Sequence, residues 1–149
     1  MKIIIAASGK LKNSPEFELF DYYKTRTRFN VSLKEVEAKK GEAKKVQEEE
    51  SKLLLAATEG TARIVLDERG KELGSEDLAL LLRKYFDSGR TVSFLIGGAD
   101  GHTEELKSKA EVLLSFGKAT WPHMLVRAML AEQIYRAYTI INNHPYHRS

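Results

Sequence analysis

The stretch VSFLIGGADGH, Val92 to His102, ends an apolar run in Gly97-Gly98-Ala99-Asp100-Gly101. Glycines at such a place admit positive φ and let a ligand approach the backbone closely. The spacing is GGxxG, so it is neither the GxxxxGK[ST] phosphate loop nor the GxGxxG dinucleotide fingerprint. No Lys or Arg lies inside the turn, and Asp100 does. A carboxylate there repels a pyrophosphate. The turn therefore favours a ligand without phosphate, preferably one with positive charge. S-adenosylmethionine, an adenosine joined to a sulfonium, meets both conditions. The same residues also suit a tight strand–helix connection that holds nothing.

Two further stretches bear on that choice. IVLDERGK, Ile64 to Lys71, brings Leu66, Asp67 and Glu68 to the end of another apolar run. GKATWPHMLVR, Gly117 to Arg127, is a third such end, followed directly by an apolar helix. In parallel sheets, ligands settle at the carboxyl ends of strands. Leu66, the glycine turn and the Ala119–Pro122 loop can therefore share one crevice and offer backbone hydrogen bonds to a nucleoside.

The elements that must position these ends alternate in type. KIIIAA, Lys2–Ala7, is continuous and β-branched, as a strand buried on both faces requires. Ser14 before Pro15 caps a helix that the pattern carries to about Arg28. A weaker strand follows at Val31–Val36, and the basic loop of Lys39, Lys40, Lys44 and Lys45 leads into a helix ending near Thr58. Val46, Leu53, Leu54 and Ala57 make that helix's apolar face. Ala62–Glu68 reads as a strand and Arg69–Lys71 as a turn. A helix opens at Ser75, and Val92–Gly97 is the next strand. Thr103 caps a helix expected to run to about Leu114, Ser115–Thr120 is expected as a short strand, and a long helix spans His123–Tyr138. Strands separated by helices of ten or more residues predict an α/β fold, a parallel sheet of about five strands covered on both faces. With 149 residues and no break in composition, one domain is expected over the whole chain.

Composition narrows the function. The chain is 42% hydrophobic and 30% charged, which fits a folded globular domain. It has no cysteine, which excludes disulfides, iron–sulfur clusters and thiolate metal sites. The apolar start is too short for a secretory signal, and no run reaches the roughly 20 residues of a membrane span, so a cytoplasmic location is expected. The formal net charge of +3 is small beside the roughly 6–10 phosphate contacts of a protein that grips nucleic acid by charge alone. Recognition of RNA would need a local patch, a second subunit or a shaped substrate. The lysine loop could touch phosphates or be a solvated face. The final helix is apolar on nearly every side, which fits burial against both its own sheet and a second subunit.

LIGGADG together with TWPHMLVRAMLAEQIYRAYTIINNHPYHR resembles the small bacterial ribosomal large-subunit pseudouridine N3-methyltransferases of the knotted SPOUT superfamily. The likeness runs over the whole chain and is most specific in NHPYHR. It implies a C-terminal trefoil knot, a homodimer, S-adenosyl-L-methionine bent into the knot, no metal, and methylation of N3 of a pseudouridine on the assembled ribosome. It places Leu66, Gly97 and Gly98 at the cofactor, and Gly117, Lys118, Ala119, Thr120, Trp121 and Pro122 in the knot loop around it. His123 and Arg127 would begin the knot helix. Ala99, Asp100, Trp121 and Met124 stand where such proteins often carry Pro, Glu, Leu and Pro. An imide N3 must lose its proton, and the tail holds groups for that work. Arg148 is expected on an RNA phosphate and Tyr146 stacked on a base. His144 or His147 is expected in proton handling or orientation. His123 divides evenly between structure and function, and His102 is expected to be exposed. Two other classes remain: a non-catalytic ribosome-binding factor, and an enzyme with a phosphate-bearing nucleotide. Calorimetry with S-adenosylmethionine and with a dinucleotide separates all three.

Overall fold

The computed structural model describes residues 1–148. Among them strands and helices alternate as β1 (Lys2–Ser8), α1 (Pro15–Lys24), β2 (Asn30–Val36), α2 (Ala43–Ala57), β3 (Ala62–Glu72), α3 (Ser75–Asp87), β4 (Val92–Ile96), α4 (Glu104–Ser108), β5 (Val112–Ser115) and α5 (His123–Ile141). The strands form one five-stranded sheet in the order β2-β1-β4-β3-β5. Every pairing is parallel, with Ile5 opposite Phe94 and Phe94 opposite Ile64 in the central ladders.

The two faces of the sheet follow from the alternation of side chains along each strand. Ile3, Ile5, Ala7, Ile64, Phe94 and Ile96 point to one face, where Phe20 of α1, Leu78 and Leu82 of α3, and Leu130 and Ile134 of α5 cover them. Ala6, Val65 and Leu95 point to the other, under Leu54 of α2 and Leu106 of α4. Full burial of a ring such as Phe94 contributes on the order of 1.5–3 kcal/mol. Because both faces are covered, β1 is buried over six of its seven residues, and its sequence has no polar alternation.

Helix ends follow local chemistry. Phe17 donates its backbone N–H to the Ser14 hydroxyl at 3.1 Å, with Pro15 in the first turn. Leu106 does the same to Thr103 at 3.2 Å. No residue of α5 is fully exposed.

Several boundaries differ from the sequence expectation. The first helix stops at Lys24 rather than near Arg28. The fourth stops at Ser108, and the strand expected at Ser115–Thr120 lies earlier, at Val112–Ser115. Leu113 and Leu114 pack on opposite faces of the sheet, a period of two that a helix does not allow. Arg69–Lys71 is no separate turn, because β3 runs on to Glu72 with a shift in register between Leu66 and Lys71. Gly70 makes this possible: a β-carbon on it would stand 2.7 Å from the Leu113 carbonyl. Only a residue without one lets the two backbones lie so close.

Candidate functional site

The ends of β3, β4 and β5 enclose a crevice of about 830 Å³. Leu66 forms one wall, Gly97 and Gly98 another, and Gly117, Ala119, Thr120, Trp121 and Pro122 the third. Eight of the nine residues expected around the cofactor thus line one space. Lys118 does not line it. Asp67, Arg69, Lys107 and His123 add polar groups to the lining.

The glycine turn is shaped by what it cannot carry. Gly101 has φ +72° and donates its N–H to the Gly98 carbonyl at 3.1 Å, closing the turn before α4. A β-carbon on Gly97 would lie 3.1 Å from the Gly101 backbone and 3.2 Å from the His102 ring. One on Gly98 would lie 3.3 Å from a carboxylate oxygen of Glu50. Gln47 donates to the Asp100 carbonyl at 2.8 Å, so α2 braces the turn from outside.

The third wall is tied by short polar links. The Ser115 hydroxyl accepts from the Gly117 N–H at 3.0 Å and donates to the Glu68 carbonyl at 3.2 Å. Gly117 has φ +110°, a conformation that favours glycine. The Trp121 indole donates to the Phe116 carbonyl at 3.3 Å across the loop. Asp67 pairs with Lys107 at 3.4 Å, both largely buried. A second, mostly apolar cavity of about 630 Å³ lies between α1, α3 and α5, and Leu114, Phe116 and Gly117 are common to both spaces.

His102 is not exposed as expected but buried, with 7% of its surface accessible. The turn folds it beneath Gly97, where its Nε2 stands 3.3 Å from the Leu95 carbonyl and its Nδ1 has no partner. Burial holds the imidazole below its ordinary pKa, opposed by the bond to Leu95. His123 is half-buried at the crevice rim, and burial together with Arg127 pushes its pKa down too.

Arg127 is wholly buried, a position its charge does not advertise. Its guanidinium donates to Glu35 at 2.8 Å and to the Ser8 carbonyl at 2.5 Å, tying α5 to the ends of β1 and β2. Glu35 also accepts from the Leu11 N–H at 2.6 Å. Spacing was the available signal. Arg127 falls four residues before the buried Ala131, and Glu50 lies midway between Val46 and Leu54, so both are on inward helix faces.

The tail folds back on its own chain. His144 donates its backbone N–H to the Thr139 carbonyl at 2.8 Å, and its Nδ1 accepts from the Tyr146 N–H at 3.2 Å. The Tyr146 ring meets Tyr135 edge-on at 4.7 Å, and the Arg136 guanidinium lies 4.8 Å from its centroid. Burial, with a hydrogen bond to Tyr23, pushes the Tyr146 phenol up to about 12. His147 accepts from Arg136 at 3.1 Å and faces Glu76 at 3.5 Å. None of His144, Tyr146, His147 and Arg148 lines the crevice of its own chain. Among the described residues no cluster of His, Asp and Glu is gathered to hold a metal, and no helix is long and apolar enough to cross a membrane.

Comparison with known proteins gives the family. The family described as "Predicted SPOUT methyltransferase" matches residues 1–147. The ribosomal RNA large subunit methyltransferase H of Paramagnetospirillum magneticum is 51% identical over 151 residues, covering 99% of both chains. The protein of the same name from Rhodospirillum centenum is 47% identical over 152 residues, covering both chains in full. Two solved structures share the fold at low identity. A probable methyltransferase from Bordetella pertussis Tohama I has a TM-score of 0.61 at 15% identity, covering 92% of this chain and 96% of that one. A probable methylase family protein from Haemophilus influenzae Rd KW20 has a TM-score of 0.60 at 12% identity, covering 99% and 70%. With a family match over nearly every residue and relatives of this likeness along the full length, the chain belongs to the SPOUT methyltransferases.

Proposed function

We propose that this protein moves the methyl group of S-adenosyl-L-methionine to N3 of a pseudouridine in large-subunit ribosomal RNA. It works in the cytoplasm on the assembled ribosome, as a homodimer whose C-terminal segment forms a trefoil knot. The observation that carries this reading is the convergence of Leu66, Gly97–Gly98 and Gly117–Pro122 on one crevice. The curated relatives are named as ribosomal RNA large subunit methyltransferases.

The crevice fits the donor by its chemistry. Glycine backbone offers hydrogen bonds and close approach to a nucleoside. Asp100 favours a cationic sulfonium and repels phosphate, while Asp67 is balanced by Lys107. When bound, the sulfonium supplies a methyl group with strong intrinsic driving force. The chain's own work is alignment, which supplies several kcal/mol of such a barrier. Leu66 and the Gly117–Pro122 loop would hold the donor, and the backbone of Gly97 and Gly98 would offer it hydrogen bonds.

The homodimer rests on apolar surface. Phe17, Leu19 and Tyr22 of α1 are exposed beside the largely apolar α5. Covering them with the same face of a second copy gives the symmetric arrangement usual for such oligomers. The tail packs on its own α5 and α3, so its reach is toward the crevice of the second copy. There Arg148 grips RNA phosphate, Tyr146 positions the base, and His144 and His147 hold the tail's shape through the contacts described above. The small net charge agrees with recognition of a shaped particle.

Deleting residues 143–149 is the direct test. Methylation of purified ribosomes, read by mass spectrometry of the RNA, should vanish, while calorimetry gives S-adenosylmethionine affinity within about twofold of the full chain. Retained methylation rejects the tail assignment. Absence of S-adenosylmethionine binding by the full chain rejects the reading as a whole.

A further inference from the structure

One side chain of α5, Arg136, holds the tail at two consecutive residues. Its Nε donates to Glu132 Oε1 at 2.7 Å, and its Nη2 donates to Oε2 at 3.4 Å. The two residues are four apart on the helix with the acid first, the favourable order for such a pair. This clamp fixes the planar guanidinium and leaves Nη1 and one flat face free. Nη1 donates to His147 Nδ1 at 3.1 Å. The Arg136 Cζ lies over the Tyr146 ring, 4.8 Å from its centroid. Two of the four tail residues expected at the reaction thus meet the same guanidinium.

The contact also sets a tautomer. A guanidinium donates and cannot accept, so His147 Nδ1 must be the bare nitrogen. In the neutral ring the proton is then on Nε2, which faces Glu76 Oε1 at 3.5 Å. His147 is held on one side by α5 and on the other by α3, and it sets where the adjoining Arg148 begins. Tyr146 is held as closely: its ring meets Tyr135 edge-on at 4.7 Å, and its phenol bonds to Tyr23. The tail needs such anchors. The chain turns back at Asn143, which has φ +56°, and residues 144–148 belong to no helix or strand. Their backbone is tied to α5 through the His144 N–H on the Thr139 carbonyl. Ordering a segment of this kind costs conformational entropy at every residue, which side-chain contacts must offset.

We infer that Arg136 is a positioning residue for methyl transfer, giving the tail the shape in which Tyr146 and Arg148 meet the RNA. The inference rests on the tail's part in the reaction proposed above, and it names the residue of the helical body on which that part depends. Arg136 acts through Tyr146 and His147, and Glu132 acts through Arg136. Positive charge alone does not meet the need. A lysine ammonium cannot hold both Glu132 oxygens, reach His147 and lie flat against a ring at once.

The test compares Arg136→Met and Arg136→Lys with the wild-type protein. Single-turnover methyl transfer at saturating ribosomes should fall by about 100-fold in Arg136→Met, the scale at which misplacement by an ångström acts. Arg136→Lys should recover only part of that rate. The ribosome concentration giving half the maximal rate should change less than the rate does. Affinity for S-adenosylmethionine, by calorimetry, should stay within about twofold of wild type, since Arg136 does not line the crevice. In nitrogen-15 NMR of the protein alone, His147 should show a bare Nδ1 and a protonated Nε2 in the wild type, and both tautomers in Arg136→Met. The Tyr146 phenol, pushed up to about 12 in the docked tail, should titrate in the variant nearer the ordinary tyrosine value of about 10. A wild-type rate in Arg136→Met, full recovery by lysine, a parallel loss of cofactor affinity, or a slow variant whose His147 and Tyr146 signals are unchanged each overturns the inference and leaves the proposed reaction standing. If the wild-type protein binds the donor yet leaves N3 unmethylated, the reaction itself falls, and this inference with it.

Discussion

Replacing Arg127 by methionine should destabilise the protein by about 3 kcal/mol. Arg127 is 0% exposed, while the side chain of its partner Glu35 is 25% exposed. Removing one member of a buried pair costs roughly 3–5 kcal/mol, chiefly through the charge left behind. Here the stranded carboxylate keeps the Leu11 N–H at 2.6 Å and some water, so the lower end applies. Methionine fills the stem volume, and the Ser8 carbonyl loses its donor. Glu35→Leu should cost more, about 4–5 kcal/mol, since it strands a cation with no access to water and also frees the Leu11 N–H. The double variant should cost less than the sum by more than about 1 kcal/mol, because it leaves no charge unpaired. Urea unfolding at one fixed protein concentration measures all three, the fixed concentration being needed for a dimer. In a chain of this length, 3 kcal/mol corresponds to roughly 6–12 °C in thermal midpoint. Cofactor affinity should fall as well, since His123 and Val126, on the same helix, line the crevice. An Arg127→Met protein within 1 kcal/mol of wild type, or strict additivity, refutes this account of the pair.

Two further outcomes follow from the geometry. Gly70→Ala places a β-carbon 2.7 Å from the Leu113 backbone, so β3 and β5 must part; a loss of about 1–3 kcal/mol is expected in urea unfolding, and an unchanged midpoint would contradict the close approach. His102→Leu removes a buried imidazole with an unpaired nitrogen, so stability at pH 7.5 should be unchanged or higher. Because the folded-state pKa is depressed below about 6.5, the unfolded chain binds a proton that the folded chain refuses; stability is present above pH 6.5 and drains as pH falls below it. The leucine variant should lose part of that slope between pH 7 and 5 in thermal melts, with His123 sustaining the rest in the same direction. An identical slope in both proteins would show that His102 titrates normally.

The sheet was legible because its strands are continuous apolar runs and its helices carry stripes, two periods that cannot be confused over ten residues. The crevice was legible for a related reason: in a parallel sheet every strand delivers its carboxyl end to the same side, so three informative strand ends could share one crevice, and the order β4-β3-β5 makes them neighbours. What failed was local. Short segments such as Val112–Ser115 offer one turn of evidence, and only the sheet decides between the periods. Gly70 read as a turn because glycine permits turns; its use here is to let two backbones touch, which depends on a partner strand more than forty residues away.

The charged residues carry the deeper lesson. Glu50 and His102 sit among polar neighbours in the sequence and Arg127 interrupts an apolar helix, yet residue type alone assigns all three to solvent. Their helix phase or the fold of a turn turns them inward instead. Arg127 has two partners waiting, so its burial reads as architecture. The Ser8 hydroxyl and the His102 Nδ1 have none, and a folded chain keeps such groups unpaired only at a cost of about 1–3 kcal/mol for each one fully removed from water.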